Sequence, residues 1–367
     1  MPTDRPPVAL AHDYLTQRGG AERVVLDLVR AFPNAPLFTS LYDPMSTYEE
    51  FAQVDLRTTP LNRVGLLRRH HRLGLPLYAS AMDRLVIDAE VTVCSSSGWA
   101  HGVTTTGAKI VYCHAPARWI YQANRYLGGR RVSLSALADR VLKPALRAWD
   151  VRAAATATQY LCNSSATAAM IAEAYGITAT VVPPPPALTP GGEERPVPGI
   201  EPGFLLSVAR LLPYKNIDLA MAAASAAGQR LVVVGSGPER QRLEALAGPD
   251  VTFLGVADDA TLRWCYRNAR ALLALSYEDY GLTPLEAASF ATPTIALSAG
   301  GYLDTIDHGR TGILIDALSV DAVVNAMTSG ALADLDDATI ARHAASFSAE
   351  RFTATLHEVV ASVIRQR

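Results

Sequence analysis

Short, unbroken apolar runs punctuate the chain at residues 8–11, 36–39, 91–94, 110–113, 160–163 and 179–182, and again at 204–208, 231–234, 251–254, 271–275 and 294–297. Runs of this kind, without the alternation of a half-exposed strand, suit strands buried on both faces of a parallel sheet. Between them, apolar residues return every three or four positions over 21–32, 166–175, 218–227, 239–246 and 261–267, the spacing of helices with one buried face. Strand and helix alternate throughout, which predicts an α/β fold of parallel sheets with helices on both faces.

Residues 183–200 interrupt the pattern, with prolines at Pro183 to Pro186, Pro190, Pro196 and Pro198 around Gly191-Gly192. Proline removes backbone donors and fixes φ, so this stretch forms neither a packed helix nor a central strand. It predicts a boundary, with domains at 1–184 and 201–347 and a linker at 185–200. Because the same scheme recurs on either side, two Rossmann-like domains are expected, facing each other across a deep cleft into which the carboxyl ends of the strands open.

Composition narrows the possible partners. A chain of 367 residues that is 49% hydrophobic can bury a large core, and its formal net charge of -2 supplies no drive toward nucleic acid. No run approaches the roughly twenty apolar residues of a membrane span, and the start lacks the apolar core of a signal peptide, so a cytoplasmic protein is expected. Cys94, Cys113, Cys162 and Cys265 are far apart in apolar contexts and form no CxxC pair, as buried reduced thiols do. Residues 63–72 are the densest basic segment, with Arg63, Arg68, Arg69 and Arg72 among leucines. Such a segment suits an anionic membrane surface or an acidic acceptor, though a stretch of this kind is more often a solvated helix face.

The chemistry concentrates where strands end. The run 271–275 leads into Tyr277-Glu278-Asp279-Tyr280-Gly281-Leu282-Thr283-Pro284-Leu285-Glu286, in which a helix is predicted to start at Thr283-Pro284. The free NH groups and positive dipole end of a helix start suit a phosphate or diphosphate. Flanking carboxylates accept hydrogen bonds from sugar hydroxyls. Thr283-x-x-Glu286 is also a capping box, in which Glu286 does no more than cap the helix. Glu278 is less easily explained that way, because it follows a buried strand where parallel sheets present ligand loops.

Arg210 and Lys215 follow the run 204–208 and precede the next helix, where they either grip a diphosphate or stand as solvated loop charges. Gly235-Ser236-Gly237 resembles half of a dinucleotide fingerprint, but Arg240 replaces the third glycine, so a tight strand-to-helix turn is expected. Gly300-Gly301 can likewise let backbone approach a ligand. In the first half, Gly19-Gly20 opens a helix start, and His114 ends the run 110–113, either as a structural histidine or as one projecting into the cleft. No cluster has metal-ligand spacing; Asp336 and Asp337 look like helix caps, and no GxSxG or Walker sequence occurs.

These segments, in this order and over nearly the whole chain, resemble the retaining glycosyltransferases of family 4, which have the two-domain GT-B fold. The resemblance rests on Gly19-Gly20-Ala21-Glu22-Arg23, Tyr112-Cys113-His114-Ala115-Pro116, Ser207 to Lys215, Gly235 to Glu239, Glu278 to Glu286 and Gly300-Gly301. Ser95-Ser96-Ser97 with Ala117-Arg118 is similar to the mannosyltransferase branch that extends bacterial surface polysaccharides. Departures from the pattern are Tyr280 for phenylalanine, Ala291 for glycine and Asp304 for glutamate.

The resemblance implies an N-terminal acceptor domain and a C-terminal donor domain, with a last helix, about 348–367, packing back on the first. By position, Arg210 and Lys215 bind the donor diphosphate, Glu286 the ribose and Glu278 the sugar hydroxyls, while His114 lies near the transferred sugar. Gly19 and Gly20 close on the phosphates, and the NH groups of Leu282 and Thr283 complete the anion site. The base is held by backbone around Gly255 and Val256. The expected reaction moves a hexose, mannose from GDP-mannose, to a hydroxyl of an acceptor sugar, a lipid-linked glycan or a natural product, with no cofactor or metal. Competing readings are a nucleotide-sugar 2-epimerase and a binding protein that has lost turnover.

Overall fold

The computed structural model describes residues 7–122 and 135–366. The chain divides into two compact units, one running to Pro184 and taking up the C-terminal stretch from Ala349, the other spanning Pro185–Ser348.

The first unit contains strands β1 (Val8–His12), β2 (Leu37–Thr39), β3 (Leu56–Thr58), β4 (Val86–Ile87), β5 (Val91–Ser96), β6 (Thr104–Thr105), β7 (Ala108–Cys113), β8 (Gln159–Cys162) and β9 (Thr180–Val181). Seven of them form a sheet in the order β3-β2-β1-β5-β7-β8-β9, while β4 and β6 pair separately. All pairings are parallel. Every residue of β5 and β7 is buried, which is why these strands read as continuous apolar runs. The chain steps outward from β1 to β3 and then returns on the other side of β1 through β5. That reversal makes a switch point between β1 and β5, and loops leaving their carboxyl ends diverge to leave a crevice.

The C-terminal helix Ala349–Arg365 belongs to this unit. Its apolar stripe of Phe352, Leu356, Val360 and Val363 joins a core with Val25, Leu28 and Tyr112. Phe352 meets the Tyr112 ring edge-on at 5.8 Å, and His357 Nε2 donates to the Ala31 carbonyl at 2.7 Å. Each such apolar side chain contributes about 1.5–3 kcal/mol on burial.

The second unit repeats the plan with β10 (Phe204–Val208), β11 (Leu231–Val234), β12 (Val251–Gly255), β13 (Ala269–Ala274), β14 (Thr294–Leu297) and β15 (Gly312–Ile315). Its order is β12-β11-β10-β13-β14-β15, again parallel, with the switch point between β10 and β13. The proline-rich stretch 185–200 lies along this unit. Leu188 and Ile200 are buried in its core, the Arg195 NH bonds the Ala260 carbonyl, and Arg195 and Arg267 pair with Asp258 and Glu194. Proline bars the stretch from sheet and helix, yet its apolar residues still find a core to enter.

Candidate functional site

In the second unit the switch point brings together two loops that are distant in sequence. Strand β10 leads to Arg210 and Lys215, and the neighbouring β13 leads to Glu278 and the helix Leu282–Ser289. Asn216, in the left-handed region at φ 53, donates through Nδ2 to the Leu275 carbonyl at 2.6 Å and ties the loops to each other. Lys215 Nζ then reaches Glu278 Oε1 at 2.5 Å, with the two side chains 16% and 19% exposed. Ser276 Oγ donates to the same oxygen at 2.8 Å. Arg210 is exposed on its loop.

The helix beyond Glu278 begins one residue before its expected start. Gly281, at φ 108, is the N-cap, and no side chain caps the helix. The capping box is therefore not formed: Glu286 Oε2 accepts from the Tyr266 hydroxyl at 2.7 Å. Leu282 and Thr283 occupy the first turn, whose NH groups have no carbonyl four residues back.

The glycines are explained by close backbone approach. A Cβ on Gly301 would lie 2.3 Å from Tyr280 Cα, and one on Gly300 2.2 Å from the Glu278 carbonyl oxygen. The Gly301 NH also donates to that carbonyl at 2.8 Å, so this pair buttresses the Glu278 loop. Gly235 and Gly237 do the same for the other loop, since their Cβ atoms would collide with the carbonyls of Ala209 and Leu211 on either side of Arg210. The dinucleotide-like turn is thus a support for the Arg210 loop.

In the first unit, Gly19 is the N-cap of the helix Gly20–Ala31, and the Glu22 carboxylate folds back against it, 2.6 Å from where a Gly19 Cβ would sit. His114 follows β7, is 7% exposed, and has its carbonyl held by Asn163 Nδ2 at 3.2 Å. Burial lowers its pKa to about 3, and the electrostatic influence of His12 and Arg118 acts in the same direction. The sequence marked Ser95 only within the Ser95-Ser96-Ser97 run and did not join it or His12 to His114. Ser95 Oγ lies 2.8 Å from His114 Nε2 and 3.1 Å from His12 Nδ1, and His12 Nε2 faces Glu22 Oε1 at 3.9 Å. Asp13 accepts from the backbone NH groups of Ser97 at 2.7 Å and Ala100 at 2.6 Å, pinning the loop after β5. The available signal was polar residues at the ends of apolar runs, His12-Asp13 and Ser95-Ser96-Ser97.

The basic segment forms the short helix Gly65–Arg69 and the turn His71–Gly74. Arg63, Val64, Leu66, Arg69, Leu73 and Leu77 are exposed, with Leu66 59% so. Arg68 is tied to the Asn62 carbonyl at 2.6 Å, and the side chain of Arg72 lies outside the described residues. Asp336 caps the helix Asp337–Ala345 by accepting from the Thr339 NH. No described helix is long and apolar enough to cross a membrane.

Comparison with known proteins follows the same division. The model described as Glycosyltransferase Family 4 matches residues 18–186, and that described as Glycosyl transferases group 1 matches residues 193–335. Glycogen synthase of Thermus thermophilus is 35% identical over 32% of this chain and 29% of its own length. The GDP-mannose-dependent alpha-(1-6)-phosphatidylinositol monomannoside mannosyltransferase of Mycobacterium tuberculosis is 30% identical over 34% of this chain and 37% of its own. These matches span well under half of either relative. Human alpha-1,3/1,6-mannosyltransferase ALG2 is 26% identical over 98% of this chain and 97% of its own. Among solved structures, sucrose-phosphate synthase from Thermosynechococcus elongatus superposes with a TM-score of 0.71 at 21% identity, covering 99% of this chain and 100% of that one. Anabaena HepE in complex with UDP gives 0.69 at 15% identity, covering 97% and 99%. With its two halves matched in order by these two family models, the chain belongs to the family 4 glycosyltransferases.

Proposed function

We propose that the protein is a retaining hexosyltransferase that moves mannose from GDP-mannose to an acceptor hydroxyl without a metal ion. The observation that carries this reading is the junction of Lys215 and Glu278 beside the uncapped start of the helix Leu282–Ser289. A cation, a carboxylate and free NH groups at one switch point match a sugar joined to a diphosphate. Glu278 Oε1 is taken by Lys215 and Ser276, and Oε2 is the oxygen assigned to a sugar hydroxyl. Arg210 and Lys215 are assigned to the diphosphate, Glu286 to the ribose, and the backbone near Gly255 and Val256 to the base. In the first unit, Gly19 and Gly20 are assigned to the phosphates and His114 to the transferred sugar. Two of the relatives are named mannosyltransferases, one of them GDP-mannose-dependent, which supports the donor.

In the reaction proposed, the bond between the anomeric carbon and the diphosphate oxygen breaks as the acceptor oxygen attacks from the same face. The acceptor proton passes to the departing phosphate, so the products are the mannoside and GDP. Arg210, Lys215 and the NH groups of Leu282 and Thr283 stabilise the charge that grows on the leaving group, the work a metal would otherwise do. A covalent glycosyl adduct trapped on Glu278 would replace this scheme with a double displacement. The exposed apolar and arginine side chains of residues 63–72 support a lipid-linked acceptor met at a membrane surface.

Thermal unfolding with GDP-, UDP-, ADP- and TDP-sugars tests the donor directly. A ligand held at a hundred times its Kd stabilises the folded state by about 2.7 kcal/mol. GDP-mannose should give the largest rise in Tm, and Lys215→Met should abolish most of it while leaving the ligand-free Tm within a few degrees. If no sugar nucleotide raises the Tm of the unaltered protein, the proposal fails.

A further inference from the structure

The carboxyl ends of β1, β5 and β7 carry a buried chain of polar groups whose proton positions follow from geometry. His12 Nδ1 lies 3.1 Å from the Ser95 carbonyl oxygen and 3.1 Å from Ser95 Oγ. A carbonyl oxygen only accepts, so His12 Nδ1 carries a proton whichever charge state the ring adopts. Ser95 Oγ therefore receives from His12 and has its own proton to give. The acceptor in reach is His114 Nε2 at 2.8 Å. Ser95 is fully buried, away from bulk solvent, where polar groups are as a rule hydrogen-bonded.

We infer that Ser95, oriented by His12, locks His114 as the neutral tautomer protonated on Nδ1, so that His114 presents a fixed hydrogen-bond donor and neither takes nor gives a proton. The remaining surroundings agree. His12 on β1 faces the Glu22 carboxylate, 3.9 Å away on the helix Gly20–Ala31, and its pKa is raised against the opposing effect of burial by Glu22 and then by the charge of Asp13. Burial first, and then the charges of His12 and of Arg118 on the helix Arg118–Tyr121, disfavour an imidazolium at His114. His114 is held in place by its own NH, which donates to the Ser96 carbonyl at 2.9 Å, and by the edge of Tyr112 at 5.3 Å between ring centres. Ser95 and His12 are positioning residues on this view. The role as donor to the transferred sugar rests on the functional reading above; the tautomer itself does not.

The lock can be read without substrate. In full-length protein labelled with nitrogen-15 histidine, two-bond proton–nitrogen correlations distinguish a protonated from a bare ring nitrogen, and His114→Gln assigns the signals. His114 should show a protonated Nδ1 and a bare Nε2 across about pH 5 to 8, the range in which an ordinary histidine titrates. Ser95→Ala should shift it toward the Nε2-protonated form, and Ser95→Thr, which keeps the hydroxyl, should restore the original pattern. A wild-type His114 protonated on Nε2, or titrating in that range, overturns the lock, as does a Ser95→Ala spectrum without change at His114. With transferase activity in hand, Ser95→Ala should lower kcat roughly tenfold or more with little change in donor KM. An unchanged kcat with an altered tautomer would overturn the donor role while leaving the lock. Absence of turnover in the unaltered protein would overturn the functional reading, and the spectra would still decide the lock.

Discussion

His12 and His114 sit on two sides of one serine and respond to burial in opposite directions. His114 is driven down to about 3 by burial, whereas the carboxylates of Glu22 and Asp13 overcome burial and raise His12. In the unfolded chain both titrate near 6.5. Below that value the unfolded chain binds the His114 proton and the fold refuses it, so stability rises with pH there and is lost as pH falls from about 6.5 toward 3. His12 has the reverse sign: its contribution is present below 6.5 and lost as pH rises through its raised pKa. His114→Gln should therefore flatten the acid side of the stability curve, by up to roughly 1.4 kcal/mol per pH unit, when urea midpoints are compared between about pH 6.5 and 5. Parallel curves for the two proteins would show that His114 titrates in the fold as it does in the unfolded chain. His114 itself was visible in the sequence as the residue ending an apolar run. Its partners were not, because Ser95 reaches His12 across 83 residues through strand register alone, with Ser95 opposite His12 on β1 and Tyr112 on β7.

At the scale of the element, the helix Leu282–Ser289 shows how local grammar can be right about place and wrong about cause. Thr283-Pro284 does mark the first turn, but Gly281 turns the chain and Tyr266 claims Glu286, so the capping box is overruled by a contact from another element. The strands were legible because burial on both faces leaves an unbroken apolar signature. β3, β4, β6 and β15 were missed: Leu56–Thr58, Val86–Ile87 and Thr104–Thr105 are short and partly exposed, and Gly312–Ile315 follows a polar turn that resembles a loop. The far end of the helix carries its own strain. Ala291 has φ 61, with its NH bonded to the Ala288 carbonyl and the Thr292 NH to that of Ala287. This is the left-handed cap that glycine fills without cost. An L-residue there loses about 1–2 kcal/mol, and glycine gives back roughly 0.5–1 through the freer unfolded chain. Ala291→Gly should thus stabilise by on the order of 0.5–1 kcal/mol and raise Tm by roughly 1–3 °C. A fall in Tm would mean that the Ala291 methyl group contributes packing that outweighs the strain.

At the scale of the whole molecule, a net charge of -2 conceals a local surface of opposite character. Arg63 and Arg69 stand exposed with Val64, Leu66, Leu73 and Leu77, while Leu67 of the same helix is buried. Apolar side chains that enter the headgroup layer and arginines that meet anionic lipid act in the same direction, at about 1 kcal/mol for each arginine near the surface. Arg63→Glu with Arg69→Glu removes two attractions and adds two repulsions, which on that scale weakens binding by more than about thirtyfold. Arg68 is better left in place, since its bond to the Asn62 carbonyl braces the segment. Co-sedimentation with vesicles containing anionic lipid should therefore be lost in the double variant, should weaken with added salt in the unaltered protein, and should fall as well in Leu66→Gln. Equal pelleting of all three proteins would assign the segment to solvent and make a soluble acceptor the better reading. Donor-induced stabilisation should be the same in each, because the Lys215 and Glu278 loops lie in the other unit and share no residue with this surface.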